Sequence, residues 1–356
     1  MSALLEQLLP CRQLASLELA LAGFADLRQG PALAAQIRVL ARALATAGGD
    51  GLLLTRVLSG LNDALTIRVI ELVAQQHRLP AVNWCWLALG SEGRGEQTFV
   101  TDQDNGLVFS AANDQEAAAL RTLFLPFAQA VNARLADCGF ELCSGGIMAG
   151  NPVWCLSYDE WREQFIDWVR RPDPAALLNA SIFFDLRPLY GDAELAEKLR
   201  SLLLSQTVDT SSFLYLMAAN ALQAPPPLSF RGEVLAEGGV AGDELDLKKF
   251  GSRIFVDAAR IFALASGCRA VSSVARLRQA GPAAGLLPDE LASSEAALNQ
   301  ILRLRLRQQM LDAEAGLPAT HGLRPATLNE VDQAILRESL LQARRLQQRL
   351  KLNYSL

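Results

Sequence analysis

The chain has 356 residues, is 51% hydrophobic and 20% charged, and carries a net charge of -5 at neutral pH. This is enough apolar material for two or three domains with a sizeable core. The acidic balance, with basic residues grouped only in short clusters of the last helices, argues against a broad nucleic-acid-binding surface. Six cysteines with no CxxC pair, and only two histidines, argue against structural zinc. No basic-then-apolar leader opens the sequence and no apolar run reaches about 18 residues. The expectation is a cytoplasmic protein with reduced thiols and no membrane segment.

Residues 1–48 read as helices, with Leu33, Ile37, Leu40 and Leu44 recurring at three- and four-residue steps. Gly48-Gly49 and Asp50-Gly51 break the run. Residues 52–76 form a second helical stretch, with Leu54, Leu58, Leu61, Leu65, Val69 and Leu72 at helical spacing, expected to pack on a sheet. Pro80 ends it. Residues 84–89 are predicted as the first strand, 105–110 as the second, 114–138 as a helix, 140–143 as the third strand and 153–156 as a further short strand. Ser157 with Glu160 is a capping box for a helix through Val169. Residues 192–222 are helical, and the prolines at 225–227 make a stiff boundary. Gly238-Gly239 is a turn before a helix over residues 255–262. Pro288 opens a helix to Ala315, with Gly316 as its C′ residue and Pro318 beyond. Thr327 with Glu330 is a capping box for the last helix.

The chemistry concentrates in residues 87–110, LALGSEGRGEQTFVTDQDNGLVFS. Gly90 and Ser91 follow a strand and open a helix, a junction whose unpaired N–H groups suit a phosphate. Asp102 and Asp104 are two apart in extended chain, so both carboxylates face one spot, and paired hard oxygens suit Mg²⁺. Each piece alone also reads as structure, TDQDNG as a polar turn between strands. A phosphate cradle followed by a metal-binding pair is the minimum equipment for metal-assisted nucleotidyl transfer.

G-S-x-G-R-x-E-Q followed by T-D-x-D-N resembles the signature of nucleotidyltransferases of the DNA polymerase β superfamily. From about Leu52 onward the chain most resembles a little-characterised bacterial nucleotidyltransferase family, related to protein-PII uridylyltransferases and glutamine-synthetase adenylyltransferases. Its members are often fused to CBS and cyclic-nucleotide-binding modules, which are not read in this sequence. The resemblance implies an α+β fold: a polymerase-β-type nucleotidyltransferase sheet, helices before it (1–78), a catalytic domain at 79–205 and a C-terminal helical, substrate-binding bundle at 206–356.

It also implies a reaction in which an NMP passes from an NTP donor to an acceptor with release of pyrophosphate, the acceptor being a protein by analogy with the PII relatives. Asp102 and Asp104 would hold two Mg²⁺, Gly90 and Ser91 the β,γ-phosphates, and Arg94 would neutralise the leaving pyrophosphate. Gln97 and Thr101 would support the carboxylates from behind. The segment around Asp246, Lys248, Gly251, Arg253 and Asp257 partly matches a motif of the same relatives. There Lys248 would reach the triphosphate, and Asp257 would anchor Lys248 or Arg94. A third acid is expected on a later strand. Glu141 and Asp185 are the candidates, Asp185 reading equally as an ion-pair partner of Arg187, while the related adenylyltransferases carry an acid near what is here Cys143. Arg303 and Arg307 share one helix face, for a phosphate or for pairing with acidic helices. The other reading is a catalytically degenerate nucleotide-binding regulator.

Overall fold

The chain is α+β. The computed structural model describes residues 2–235, 244–317 and 320–356, and for residues 2–11 the backbone alone. Gly238-Gly239 and Pro318 lie outside the described residues.

Three helices, α1 (Ser2–Gly23), α2 (Gly30–Thr46) and α3 (Gly51–Ala74), precede the first strand, β1 (Trp84–Ala88). The single-turn helix α4 (Gly90–Arg94) leads by a loop to β2 (Asn105–Phe109) and the long α5 (Asp114–Asp137). After a loop come β3 (Cys155–Ser157), α6 (Tyr158–Arg170), α7 (Pro174–Phe183) and β4 (Arg187–Gly191). The rest is nearly all helical: α8 (Ala193–Val208), α9 (Ser211–Ala221), α10 (Arg253–Ser266), α11 (Ser273–Ala280), α12 (Pro288–Glu314) and α13 (Glu330–Tyr354), with the short pair β5 (Leu245–Asp246) and β6 (Gly322–Leu323).

The main sheet has the order β3-β2-β1-β4, with β2 and β3 parallel and the other pairs antiparallel. Side chains alternate across a strand, and both faces of this sheet are covered. Trp86, Leu107, Phe109 and Cys155 pack on one side with residues of α1, α2, α3 and α5. Cys85, Leu87, Val108 and Leu156 pack on the other with residues from α6 to α13. An aromatic cluster anchors this second face: Trp154 lies 4.4 Å from Phe183 between ring centroids, and the Trp161 indole N–H donates to Leu107 O at 3.0 Å. The fully buried Trp161 thus satisfies its one polar atom on the sheet itself.

Three predicted features differ. Residues 140–143 do not form a strand; Glu141 makes one isolated bridge to Asp102. Gln103 takes up their backbone with both its main chain and its side chain: Gln103 N donates to Glu141 O and Gln103 Nε2 to Phe140 O, while further on Asn105 Oδ1 accepts from Ala149 N. Glycines with φ of 87° and 67°, Gly139 and Gly146, turn the chain at either end. The third strand of the sheet is β3, preceded by a 3₁₀ turn at Pro152–Trp154 within the predicted 153–156 strand. Strand β4 is not foreseen, because it contains Pro188, which lacks an N–H; it fits at the sheet edge beside a register shift opposite Trp86 and Leu87. The last helix is capped by Asn329, whose Oδ1 accepts from Asp332 N at 2.8 Å, not by Thr327, which ends a 3₁₀ turn.

The capping box of Ser157 and Glu160 is present, and Gly316 has a φ of 67° just past α12. Asp50 caps α3 and also binds α12, since Asn299 donates to Asp50 Oδ2 and accepts from Leu52 N. No described helix is long and apolar enough to cross a membrane.

Two glycines make the packing testable. A Cβ on Gly93 would lie 2.1 Å from Asp185 O, a backbone atom that cannot yield. A Cβ on Gly60, exposed in the middle of α3, would meet nothing within 4 Å. Gly93→Ala is expected to destabilise by about 1–3 kcal/mol or more, and Gly60→Ala to stabilise by about 0.5–1 kcal/mol. Denaturant titrations of the two variants check this; equal effects would mean that α4 is not pressed against the 185 segment.

Candidate functional site

Antiparallel pairing of β1 with β2 places Ala88 opposite Asn105. The residues just beyond each strand end therefore meet, and Leu89 N donates to Asp104 O at 2.9 Å. The chain turns sharply at Gly90, with a φ of 53°, and a Cβ there would stand 2.6 Å from Asp104 Oδ2. Glycine is required both for the backbone conformation and to admit the carboxylate. Helix α4 has only five residues, so its dipole is slight. What it offers an anion is the first-turn N–H groups and the Ser91 hydroxyl.

The sequence TDQDN alternates along extended chain. Asp102 and Asp104 face the cleft, and Gln103 and Asn105 face inward and are buried. Gln103 Nε2 donates to Asn132 O and Phe140 O, and Asn132 Nδ2 donates to both Gln103 Oε1 and Asn105 Oδ1. This polar lock fastens the 140–150 segment beside β2 and delivers Cys143 to the site. One donor atom from each of Asp102, Asp104 and Cys143 lies within 4.8 Å of the others. Burial, then the Asp102 charge, push Asp104 up to about 6, partly offset by Cys143, Lys248 and Arg94. Among the described residues neither aspartate has an ion-pair partner. Two converging oxygen ligands without a counter-charge fit a divalent cation.

The cleft measures about 410 Å³. Gly90, Ser91, Arg94, Asp102, Asp104 and Cys143 line one wall; Lys248, Ser252, Arg253, Asp257, Arg260 and Arg305 line the other. Lys248 starts a π-helical turn, Lys248–Ser252, and Asp246 Oδ1 accepts from its N–H. Its exposed side chain lies on the cleft wall within electrostatic reach of Asp104.

Arg94 lines the cleft with two of its nitrogens engaged: Nε bonds Glu96 at 2.8 Å and Nη1 bonds Asp185 at 2.6 Å. Asp257 pairs with Arg253 and Arg260 rather than with Lys248 or Arg94. Gln97 Nε2 donates to Thr101 Oγ1, and Thr101 donates to the main-chain O of Asp102, supporting the strand rather than the carboxylate. Arg303 and Arg307 turn away to Asp332 of α13.

Neither candidate third acid lines the cleft. Glu141 has an exposed side chain. Asp185 is fully buried and takes hydrogen bonds from Arg94, Arg260 and Arg276. Burial alone would raise its pKa; the three guanidinium charges overcome that and hold the carboxyl well below the usual range. Arg187, its expected partner, instead binds both oxygens of Asp63 at 2.9 and 2.8 Å and the carbonyls of Glu92 and Gly93, clamping α4 to α3.

Arg305 was not singled out by sequence. Its signal lies in α12, where Leu298, Ile301, Leu302, Arg305 and Gln309 share one buried stripe. An arginine on an apolar stripe marks a charge the fold takes inside.

Two family models match the chain, one described as "Putative nucleotidyltransferase DUF294" over residues 35–175, the other as "Putative nucleotidyltransferase substrate binding domain" over residues 211–354. Together they take in about four-fifths of the sequence. No curated protein matches it.

Two predictions follow the electrostatics. Asp185→Asn leaves buried guanidiniums without their shared carboxylate and is expected to cost about 3–5 kcal/mol, while Glu141→Gln, at the surface, stays within about 0.5 kcal/mol. Chemical denaturation separates them, and comparable stabilities would remove Asp185 from its structural role. Glu92, buried in α4, is raised to about 8, chiefly by burial and then by Asp63, with Arg187 opposing. The unfolded chain ionises this carboxyl near 4.3, so the fold holds the extra proton and loses stability as pH rises from about 4.5 to 8. Glu92→Gln should gain over wild type progressively across that window in metal-free buffer. A gap that does not change between pH 5 and 8 would show Glu92 already ionised in the fold.

Proposed function

We propose, since the chain belongs to the DUF294 nucleotidyltransferase family, that its cleft catalyses metal-dependent transfer of an NMP from an NTP to an acceptor, releasing pyrophosphate. General nucleotidyl transfer is what the family supports. The observation that carries the finer reading is the convergence of Asp102 and Asp104, without cationic partners among the described residues, beside the Gly90-Ser91 turn.

In this reading Asp102 and Asp104 hold divalent cations, two Mg²⁺ by the resemblance drawn from sequence. Bound there, the metal supplies charge neutralisation at the α-phosphate and acidifies the acceptor hydroxyl. The protein's own part is placement. The main-chain N–H groups at Gly90 and Ser91 and the Ser91 hydroxyl hold the β,γ-phosphates. Lys248 approaches the triphosphate from the helical wall as a mobile point charge. Arg94, held by Glu96 and Asp185, fixes the floor and adds positive potential without swinging. The acceptor oxygen bonds to the α-phosphorus as the bond to the bridging oxygen breaks; pyrophosphate leaves, and the acceptor proton passes to solvent. The acceptor is a protein side chain on the analogy with PII uridylylation.

A second reading is supported by Cys143. A thiol stands beside the aspartates, and both candidate third acids lie off the cleft. A site short of one carboxylate fits a regulator that binds nucleotide without turning it over.

Purified protein incubated with each of the four NTPs and Mg²⁺ or Mn²⁺ distinguishes the two. The enzyme reading expects pyrophosphate release on addition of the acceptor and nucleotide-plus-metal stabilisation of the fold, about 2.7 kcal/mol at 100 times Kd. Asp104→Asn should lower turnover by at least about 10³-fold, of the order seen when a charge-stabilising group is lost, with an unchanged circular dichroism spectrum. Nucleotide binding with no pyrophosphate from any acceptor fraction would establish the regulator. Full turnover in Asp104→Asn would sink the site.

A further inference from the structure

Most charges on the cleft wall are already balanced. Arg94 is paired with Glu96 and Asp185, Arg253 with Asp257, and Arg260 with Asp257 and Asp185. Setting these aside leaves Asp102 and Asp104 on the sheet wall, and Lys248 and Arg305 on the helical wall.

Arg305 is the less ordinary cation. It is 7% exposed, yet it has no ion-pair partner among the described residues. Its Nη1 donates to Ser252 Oγ at 3.0 Å, and its Nε is buried with no partner among the described residues. Burial pushes its pKa down to about 10, with Asp246 the largest opposing influence. A guanidinium taken out of water without a carboxylate is costly, and an orphaned buried donor is costly too. An anion in the cleft would supply the missing counter-charge. The helix holds the group there: Leu302 and Leu298, one and two turns back on α12, line the same wall. Ser252, which Arg305 binds, closes the π-helical turn that Lys248 opens, so the two cations flank one short segment.

We propose that Arg305 binds the polyphosphate of the nucleotide and is the residue by which this cleft distinguishes a triphosphate from a monophosphate. The inference rests on the nucleotide reading above. A guanidinium presents a planar fork that matches phosphate oxygens, where lysine offers a point charge; here one arm of the fork, Nη1, is fixed by Ser252, and Nη2, which has no hydrogen-bond partner among the described residues, is left for the ligand. Two unpaired cations facing two unpaired carboxylates suit an anion of high charge that carries its own divalent cation. A single carboxylate ligand would neutralise only one of the two.

The experiment is calorimetric titration, with Mg²⁺ present, of a non-hydrolysable NTP analogue, the matching NMP and inorganic tripolyphosphate into wild type, Arg305→Gln, Arg305→Lys and Arg307→Gln. Wild type is expected to bind the triphosphates more tightly than the NMP. Arg305→Gln should weaken both triphosphates by about 10–100-fold, or about 1.4–2.8 kcal/mol, and leave NMP affinity unchanged. Arg305→Lys keeps the buried charge, and with it the fold, but loses the fork; about tenfold weakening is expected, which tests the proposal even where the glutamine variant fails to fold. Arg307→Gln, on the face paired with Asp332, should behave as wild type. Unchanged triphosphate binding in Arg305→Lys, or equal losses for triphosphate and NMP, would overturn the proposal and leave the nucleotide reading standing. Tripolyphosphate binding that depends on Arg305, with no nucleotide bound, would keep the anion site and remove the nucleotide. No binding of any of the three by wild type ends both.

Discussion

A fully buried carboxylate shared by three arginines holds the two walls of the cleft together. Asp185 lies between α7 and β4, and its partners come from α4, α10 and α11. Glu96 and Asp257 complete the cluster by pairing with Arg94 and Arg260, and the more exposed Arg253 joins it at Asp257. Each ion alone would cost several kcal/mol to bury; together they satisfy one another. Glu96 also accepts from the N–H and hydroxyl of Ser273 at the start of α11. The sheet and the helical bundle therefore meet across fixed charges, and the cleft between them keeps a defined width.

That joint explains the division of labour among the cationic residues. Arginines inside the cluster are immobilised and shape the floor. Lys248 and Arg305, outside it, keep unspent electrostatic capacity and face the aspartates. The same logic separates the carboxylates: Asp185, Glu96 and Asp257 belong to the framework, whereas Asp102 and Asp104 have no ion-pair partner among the described residues.

Sequence revealed the local parts and missed the long-range ones. Strands β1 and β2 are short apolar runs ending in turn residues, and the aspartates two apart in extended chain had to point the same way; both are local facts. The long helices followed from their leucine spacing. Strand β4 was hidden by Pro188, tolerable only because β4 is an edge, and edge position is a property of the assembled sheet. Residues 140–143 have strand-like composition, but Gln103 takes the carbonyls of Phe140 and Glu141 and the pairing stops at one isolated bridge. Asp185 was legible as a charged residue of note, yet three partners, 91, 75 and 91 residues away, cannot be read from spacing. Arg305 was overlooked because Arg303 and Arg307 made the more obvious pair, though the leucine stripe through α12 already placed it inside.

The Asp185 cluster also bears on how such a chain can change over generations. Loss of the carboxylate strands three buried cations, and loss of one arginine leaves the remaining ions unbalanced, so single replacements are penalised from any starting point. The positions occupied by Asp185, Arg94, Arg260 and Arg276 are tied to one another although Arg94 lies in the first matched region, Arg260 and Arg276 in the second, and Asp185 between the two. Relatives should therefore keep the whole set or exchange it for an uncharged one, and the two regions should be inherited as a unit rather than shuffled apart.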